Sequence, residues 1–201
     1  MGRMLIIKAC GVKGEEKECE NIKIQAELYG LDVITINPKA SEDFRQSIPD
    51  GKFDFIYISC HGNQEGICNE DNSIDLKWNE LGLILCDSEC FEEDCVIMLS
   101  CCRGGLNQVA YSLLASCNLI NYVVGPRQSL IPEDLLISFN IFLYLVAYKG
   151  MDAVVACEKI KGLLDLRLIC FDRLEVEPLP DFHAYLDTND KLENEDRPAF
   201  L

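Results

Sequence analysis

Short, nearly unbroken apolar runs alternate in this chain with longer stretches whose apolar residues recur every three or four positions. The runs read as buried strands, the stretches as amphipathic helices. Met4 to Ala9 is the first run, closed by Cys10-Gly11. Glu15 to Tyr29 is the first helical stretch, with Cys19, Ile22, Ala26 and Tyr29 on one face and Gly30 as its stop. A second strand spans Leu31 to Ile36, and a helical stretch from Pro38 to Ile48 closes on the turn residues Pro49-Asp50-Gly51. The third strand, Phe53 to Cys60, runs into His61-Gly62. The polar segment Gly62 to Ile74, rich in Asn, Asp, Ser and Gly, predicts a surface loop. A short helix from Trp78 to Cys86 precedes a fourth strand, Val96 to Ser100, which runs into Cys101-Cys102-Arg103-Gly104-Gly105. A helix over Leu106 to Cys117, a fifth strand over Leu119 to Gly125 and a loop over Pro126 to Pro132 follow. A long apolar helix, Glu133 to Tyr148, then a last helix, Met151 to Leu164, lead to a sixth strand, Arg167 to Phe171.

Strands that alternate with helices predict an α/β fold, a mainly parallel six-stranded sheet with helices on both faces. The continuous apolar character of the third, fourth and fifth strands agrees, since central parallel strands are buried on both sides. Residues 1–171 are expected to form one domain. Residues 172–201 read as an acidic, Pro-containing C-terminal extension without periodicity, a loose terminus or a docking segment, with disorder expected for its last dozen residues. No internal repeat is visible.

At 201 residues such a domain buries roughly 70% of its unfolded surface and needs no disulfide to hold its core. The formal net charge of −16 argues against nucleic acid and anionic membranes as partners, because both are gripped by clustered Lys and Arg. No apolar run approaches the roughly 20 residues of a spanning helix. Acidity suits a basic substrate or partner, although a solvated, soluble surface explains it as well. The chain has twelve cysteines, and Cys10, Cys60, Cys117, Cys157 and Cys170 lie in apolar runs, where a thiol acts as a small hydrophobe. The first residues lack a secretory apolar stretch, and Ile6 spoils a myristoylation pattern, so a reducing cytoplasm is the expected setting.

Two strands each end at a reactive residue. In an open parallel sheet the carboxyl ends of neighbouring strands converge on one crevice, where His61 and Cys102, about 40 positions apart, would meet. A cysteine attacks carbonyls as its thiolate, and an imidazole beside it takes the proton or lowers the thiol pKa. Histidine is scarce: only His183, in the tail, competes with His61. Backbone N–H groups at Gly62 and at Cys102 are candidate oxyanion donors, and Gly104-Gly105 lets the chain turn sharply with the thiol at the rim. Only one of Cys101 and Cys102 can face the crevice, because successive residues of a strand point to opposite faces.

Cys102-Arg103-Gly104 after an apolar strand resembles the Q-A-C-R-G signature of caspases, whose histidine lies about 50 residues upstream. Ser59-Cys60-His61-Gly62 resembles the strand-end His-Gly of the same superfamily. Leu99-Ser100-Cys101-Cys102-Arg103-Gly104-Gly105 is similar to the Leu-Ser-Ala-Cys-x-x-Gly motif of bacterial CHAT domains, with Cys101 at the Ala position. The resemblance covers residues 4 to 171. It implies a caspase-like three-layer sandwich and a thiol endopeptidase acting through an acyl-enzyme, with Cys102 as nucleophile and His61 as base and later acid. No cofactor or metal is implied. A protein substrate, an activating or sensor protein and a role in antiviral defence or regulated cell death follow from family habit.

Specificity is less marked. Caspases carry Gln, and Arg/Lys-specific relatives Asp, two residues before the nucleophile; here Ser100 stands there, so neither preference follows. Arg127 lies where caspases carry a substrate-contacting arginine. Glu133 and Asp134, or Glu65, Glu70 and Asp71, would suit a basic side chain, although solvated loop charges are the plainer interpretation. Cys86, Cys90 and Cys95 are spaced loosely for zinc, without a second tight pair, and Cys101-Cys102 or Cys86-Cys90 would allow a redox switch. Two further readings stay open: a non-catalytic caspase-like interaction module and a small-molecule amidase on a flavodoxin-like sheet.

Overall fold

Apolar runs become strands and periodic stretches become helices in the expected order, and the computed structural model describes residues 2–164 and 167–195. β1 (Arg3–Lys8), α1 (Glu15–Leu28), β2 (Asp32–Ile36), α2 (Ser41–Ser47) and β3 (Phe53–Ser59) are followed by three short strands. These are β4 (His61–Gly62), β5 (Gly66–Cys68) and β6 (Asp75–Lys77). Then come α3 (Trp78–Asp87), β7 (Phe91–Ser100), α4 (Asn107–Ser116), β8 (Tyr122–Pro126) and α5 (Pro132–Leu143), which continues into a π-helical turn, Tyr144–Tyr148. α6 (Ala153–Leu164), β9 (Leu168–Asp172), α7 (Arg173–Val176) and α8 (Pro180–Glu195) complete the chain.

The main sheet has six strands in the order β2-β1-β3-β7-β8-β9, parallel except for β9, which runs antiparallel to β8. Side-chain alternation divides its core in two. Ile56, Ile58, Cys60, Ile97, Leu99 and Cys101 face a layer built by α2, α3, α4 and α8. Met4, Ile6, Tyr57, Met98 and Val124 face α1, α5 and α6. The molecule is therefore a three-layer α/β sandwich, as the alternation of elements predicts.

Two regions depart from expectation. The segment taken for a surface loop folds as a second, antiparallel sheet, β4-β5-β6, that sinks Ile67 and Ile74 to 1% exposure. Its polar residues satisfy backbone: Asn63 Oδ1 accepts from the N–H of Glu65 and Gly66, and Asn69 Oδ1 from Ile74. Turn-forming side chains therefore mask two buried positions in the sequence pattern. The acidic extension is helical through Glu195, with Val176 and Phe182 buried against the α4 layer. Phe182 meets Tyr111 edge-on at 5.3 Å, and the Tyr185 hydroxyl lies 2.7 Å from that of Ser112. Few apolar residues carry that contact, which is why the acids around them hid the helix. Of the dozen residues expected to be disordered, 196–201 lie outside the described residues. Arg173 adds a tie, donating to the carbonyls of Leu114, Cys117 and Ile120 at the end of α4, where helix carbonyls lack partners.

Candidate functional site

β3 and β7 lie side by side in parallel register, Tyr57 against Met98 and Ser59 against Ser100, and the ladder extends to Cys60 N–H, which donates to Ser100 O at 3.3 Å. Cys60 and Cys101 belong to the α3–α4 side, both buried. His61 and Cys102 follow at matching positions past the two strand ends, each one residue beyond that buried pair. The β4–β5 pairing agrees: Gly62 is level with buried Ile67, and His61 points the other way, exposed. Cys102 is half-buried.

Glycine makes the close approach possible. A Cβ on Gly62 would stand 2.7 Å from Cys101 Sγ and 3.2 Å from Cys102 O, so His61-Gly62 lies directly on Cys101-Cys102. A Cβ on Gly105 would stand 2.2 Å from Gly125 O, so the turn after β7 is pressed backbone to backbone against the end of β8. Arg103, just after Cys102, has φ +63°, an uncommon left-handed conformation for a residue with a side chain. It is held by Arg103 N–H to Gln128 O, Gly104 N–H to Cys101 O and Gly105 N–H to Pro126 O. Cys102 N–H has no such backbone partner among the described residues. Asn63 N–H donates to Gly66 O, which makes Gly62 a non-bonded position of the β4–β5 ladder, its N–H turned away from β5. The two expected oxyanion donors are thus unclaimed by that ladder and that turn.

The thiols differ in setting. Pairing with the Cys101 thiol, reinforced by burial, pushes the Cys60 thiol well up from its ordinary value, and burial pushes Cys10 up to about 12. Such groups stay protonated and inert. Cys68, half-buried, sits opposite His61 across the β4–β5 pair, a neighbour the spacing did not reveal. Cys86 pairs with Cys117, and Cys90 Sγ approaches Leu85 O at 3.6 Å. Among the described residues no group of three or more His, Cys, Asp or Glu is placed to hold a metal.

The remaining candidates are held in different ways, with Arg127 beside the turn after Cys102 because the carbonyls of Pro126 and Gln128 bind Gly105 and Arg103. Ser100 is 4% exposed and donates to Glu18 Oε1 at 2.6 Å, so its hydroxyl is engaged inside the protein. Arg127 is exposed, its side chain 3.2 Å from Asn107 Oδ1 at the start of α4. Glu133 and Asp134 occupy the first turn of α5, where carboxylates suit the helix dipole. His183 stands exposed on α8, across the sheet from α1. Sequence reasoning missed Glu18, which reads there as one of three acids favouring the start of α1.

The neighbouring gap in the rim, between β1 and β3, is where the strand order reverses and where open α/β sheets commonly bind ligands. Here it is filled. Glu15 accepts the N–H groups of Cys10 and Gly11 at 2.8 Å each, and Glu70 N–H, from the small sheet, donates to Cys10 O. Among the described residues no helix is long and apolar enough to cross a membrane.

No protein-family profile and no curated protein matches this chain. Among solved structures it is similar to a flavodoxin of Streptococcus pneumonia TIGR4, at 14% identity over 69% of this chain and 94% of that one, with a TM-score of 0.38. A likeness of that order bears on neither family nor chemistry.

Proposed function

We propose that this chain is a caspase-like cysteine endopeptidase, similar to bacterial CHAT-domain proteases, with Cys102 as nucleophile and His61 as its base. One observation supports the reading: Gly62 rests on Cys101-Cys102 beyond the paired ends of β3 and β7, with Cys60 and Cys101 buried while His61 is exposed and Cys102 half-buried. His61 takes the thiol proton and Cys102 Sγ adds to the peptide carbonyl. The N–H groups of Cys102 and Gly62 receive the developing oxyanion. Collapse breaks the C–N bond, His61 protonates the leaving amine, and a thioester remains. Water, deprotonated by His61, then releases the carboxylic acid and restores the thiol.

The substrate in this reading is an extended protein segment lying across an open rim. A partner or sensor protein would regulate it, in antiviral defence or cell death. Twelve free cysteines suit a reducing cytoplasm. The test is mass spectrometry of products from a peptide library, run with the wild type and Cys102→Ala in parallel. Cleavages present only in the wild type support the reading; cleavages that persist in Cys102→Ala overturn it.

A further inference from the structure

Glu18 sits against the β3–β7 seam, bonded to Tyr57 of one strand and to Ser100 at the end of the other, two residues before Cys102, and the cleavage chemistry does not use it. Its Oε1 accepts two hydroxyls, Tyr57 and Ser100, each at 2.6 Å. Its Oε2 accepts no hydrogen bond among the described residues, and the buried side-chain oxygen left without a partner there is Asn140 Oδ1, so Oε2 keeps contact with solvent. Among the described residues no cation pairs with it: in α1 and beside it, Lys8 goes to Glu16 and Lys23 to Glu27. Burial raises the pKa of this carboxyl against the two hydrogen bonds that lower it, the mark of a charge short of partners.

The position has a scale. Ser100, which holds Glu18, precedes Cys102 by two residues, about 7 Å of strand. An extended Lys or Arg stem can span that distance from a carbonyl poised at the Cys102 thiol. A cation arriving there would supply the missing partner, and charge-assisted bonds to a carboxylate are the stronger kind. The net charge of −16 favours approach of such a substrate.

We propose that Glu18 sets the specificity of the Cys102 site by receiving the lysine or arginine side chain just before the cleaved bond, with Ser100 and Tyr57 orienting its carboxylate. The inference rests on the peptidase reading above.

The test uses the full chain and four peptidyl acyloxymethyl ketones that differ in the residue next to the warhead, Lys, Arg, Leu or Asp, with modification of Cys102 read by mass spectrometry. In the wild type the Lys and Arg probes label fastest. Glu18→Gln lowers the ratio of basic to Leu labelling roughly thirtyfold or more, the scale of losing one member of a desolvated charge pair. Glu18→Lys moves the preference toward Asp. A merely structural role for Glu18 would slow every probe alike; an unmoved ratio overturns the specificity assignment while the peptidase reading stands. Wild-type chain whose Cys102 takes none of the probes overturns the peptidase reading, and this proposal with it.

Discussion

Two successive pairs of positions at the end of the β3–β7 seam, Cys60 with Cys101 and His61 with Cys102, are treated in opposite ways. On the α3–α4 side, Cys60 and Cys101 are sealed under the small sheet, and pairing and burial hold the Cys60 thiol protonated. One residue further along each strand end, His61 is exposed and Cys102 half-buried. Gly62 lets the two strand ends close tightly over Cys101. The lesson is that adjacent cysteines can differ sharply in burial without any difference in their chemistry.

The largest expected effect separates those neighbours. Cys102→Ala is expected to lower the cleavage rate by at least about 10⁴-fold, as removal of a nucleophile does elsewhere. Cys101→Ala should cost about 1 kcal/mol of stability, seen in urea unfolding, and leave the cleavage rate near wild type. Next comes the sealed layer. Phe182→Ala should cost about 3 kcal/mol in urea unfolding, because α8 docks on α4 through that ring.

Gly62→Ala attacks the seam itself. Its Cβ would stand 2.7 Å from Cys101 Sγ, and the crowding should cost about 2 kcal/mol and slow cleavage. Adding Cys101→Ala should return part of that loss, a coupling read from the double-mutant cycle.

The smallest effect is a tilt with pH. Burial raises the Glu18 pKa in the folded state above its ordinary 4.5, so the folded chain binds its proton more tightly than the unfolded one. The stability this group contributes is complete below the unfolded pKa and is lost as pH rises through the folded value. Glu18→Gln removes that dependence, so its stability relative to wild type should rise with pH across that window and then level off. Urea unfolding at several pH values reads the slope.

These contrasts also show what the sequence could reveal. The six strands and the helices of the core were legible because each presents a continuous run or a 3.6-residue stripe to a buried layer. Segment 62–74 and α8 were not, because a few apolar anchors, Ile67 and Ile74 in one and Phe182 in the other, sit among polar residues serving turns and surface. At the rim, the approach of His61-Gly62 to Cys101-Cys102 was legible from strand ends and glycines, which are local signals. Ser100 was legible as a position near the nucleophile, but its bond to Glu18 joins residues 82 apart, and no local pattern predicts such a pairing.

Timed alkylation of the native chain by iodoacetamide, resolved cysteine by cysteine with mass spectrometry, tests the division most directly. Cys102 should react well ahead of Cys60 and Cys101, which stay protected until the chain unfolds, and His61→Ala should slow Cys102. Modification of Cys101 at the rate of Cys102, or a Cys102 rate indifferent to His61, would contradict the account.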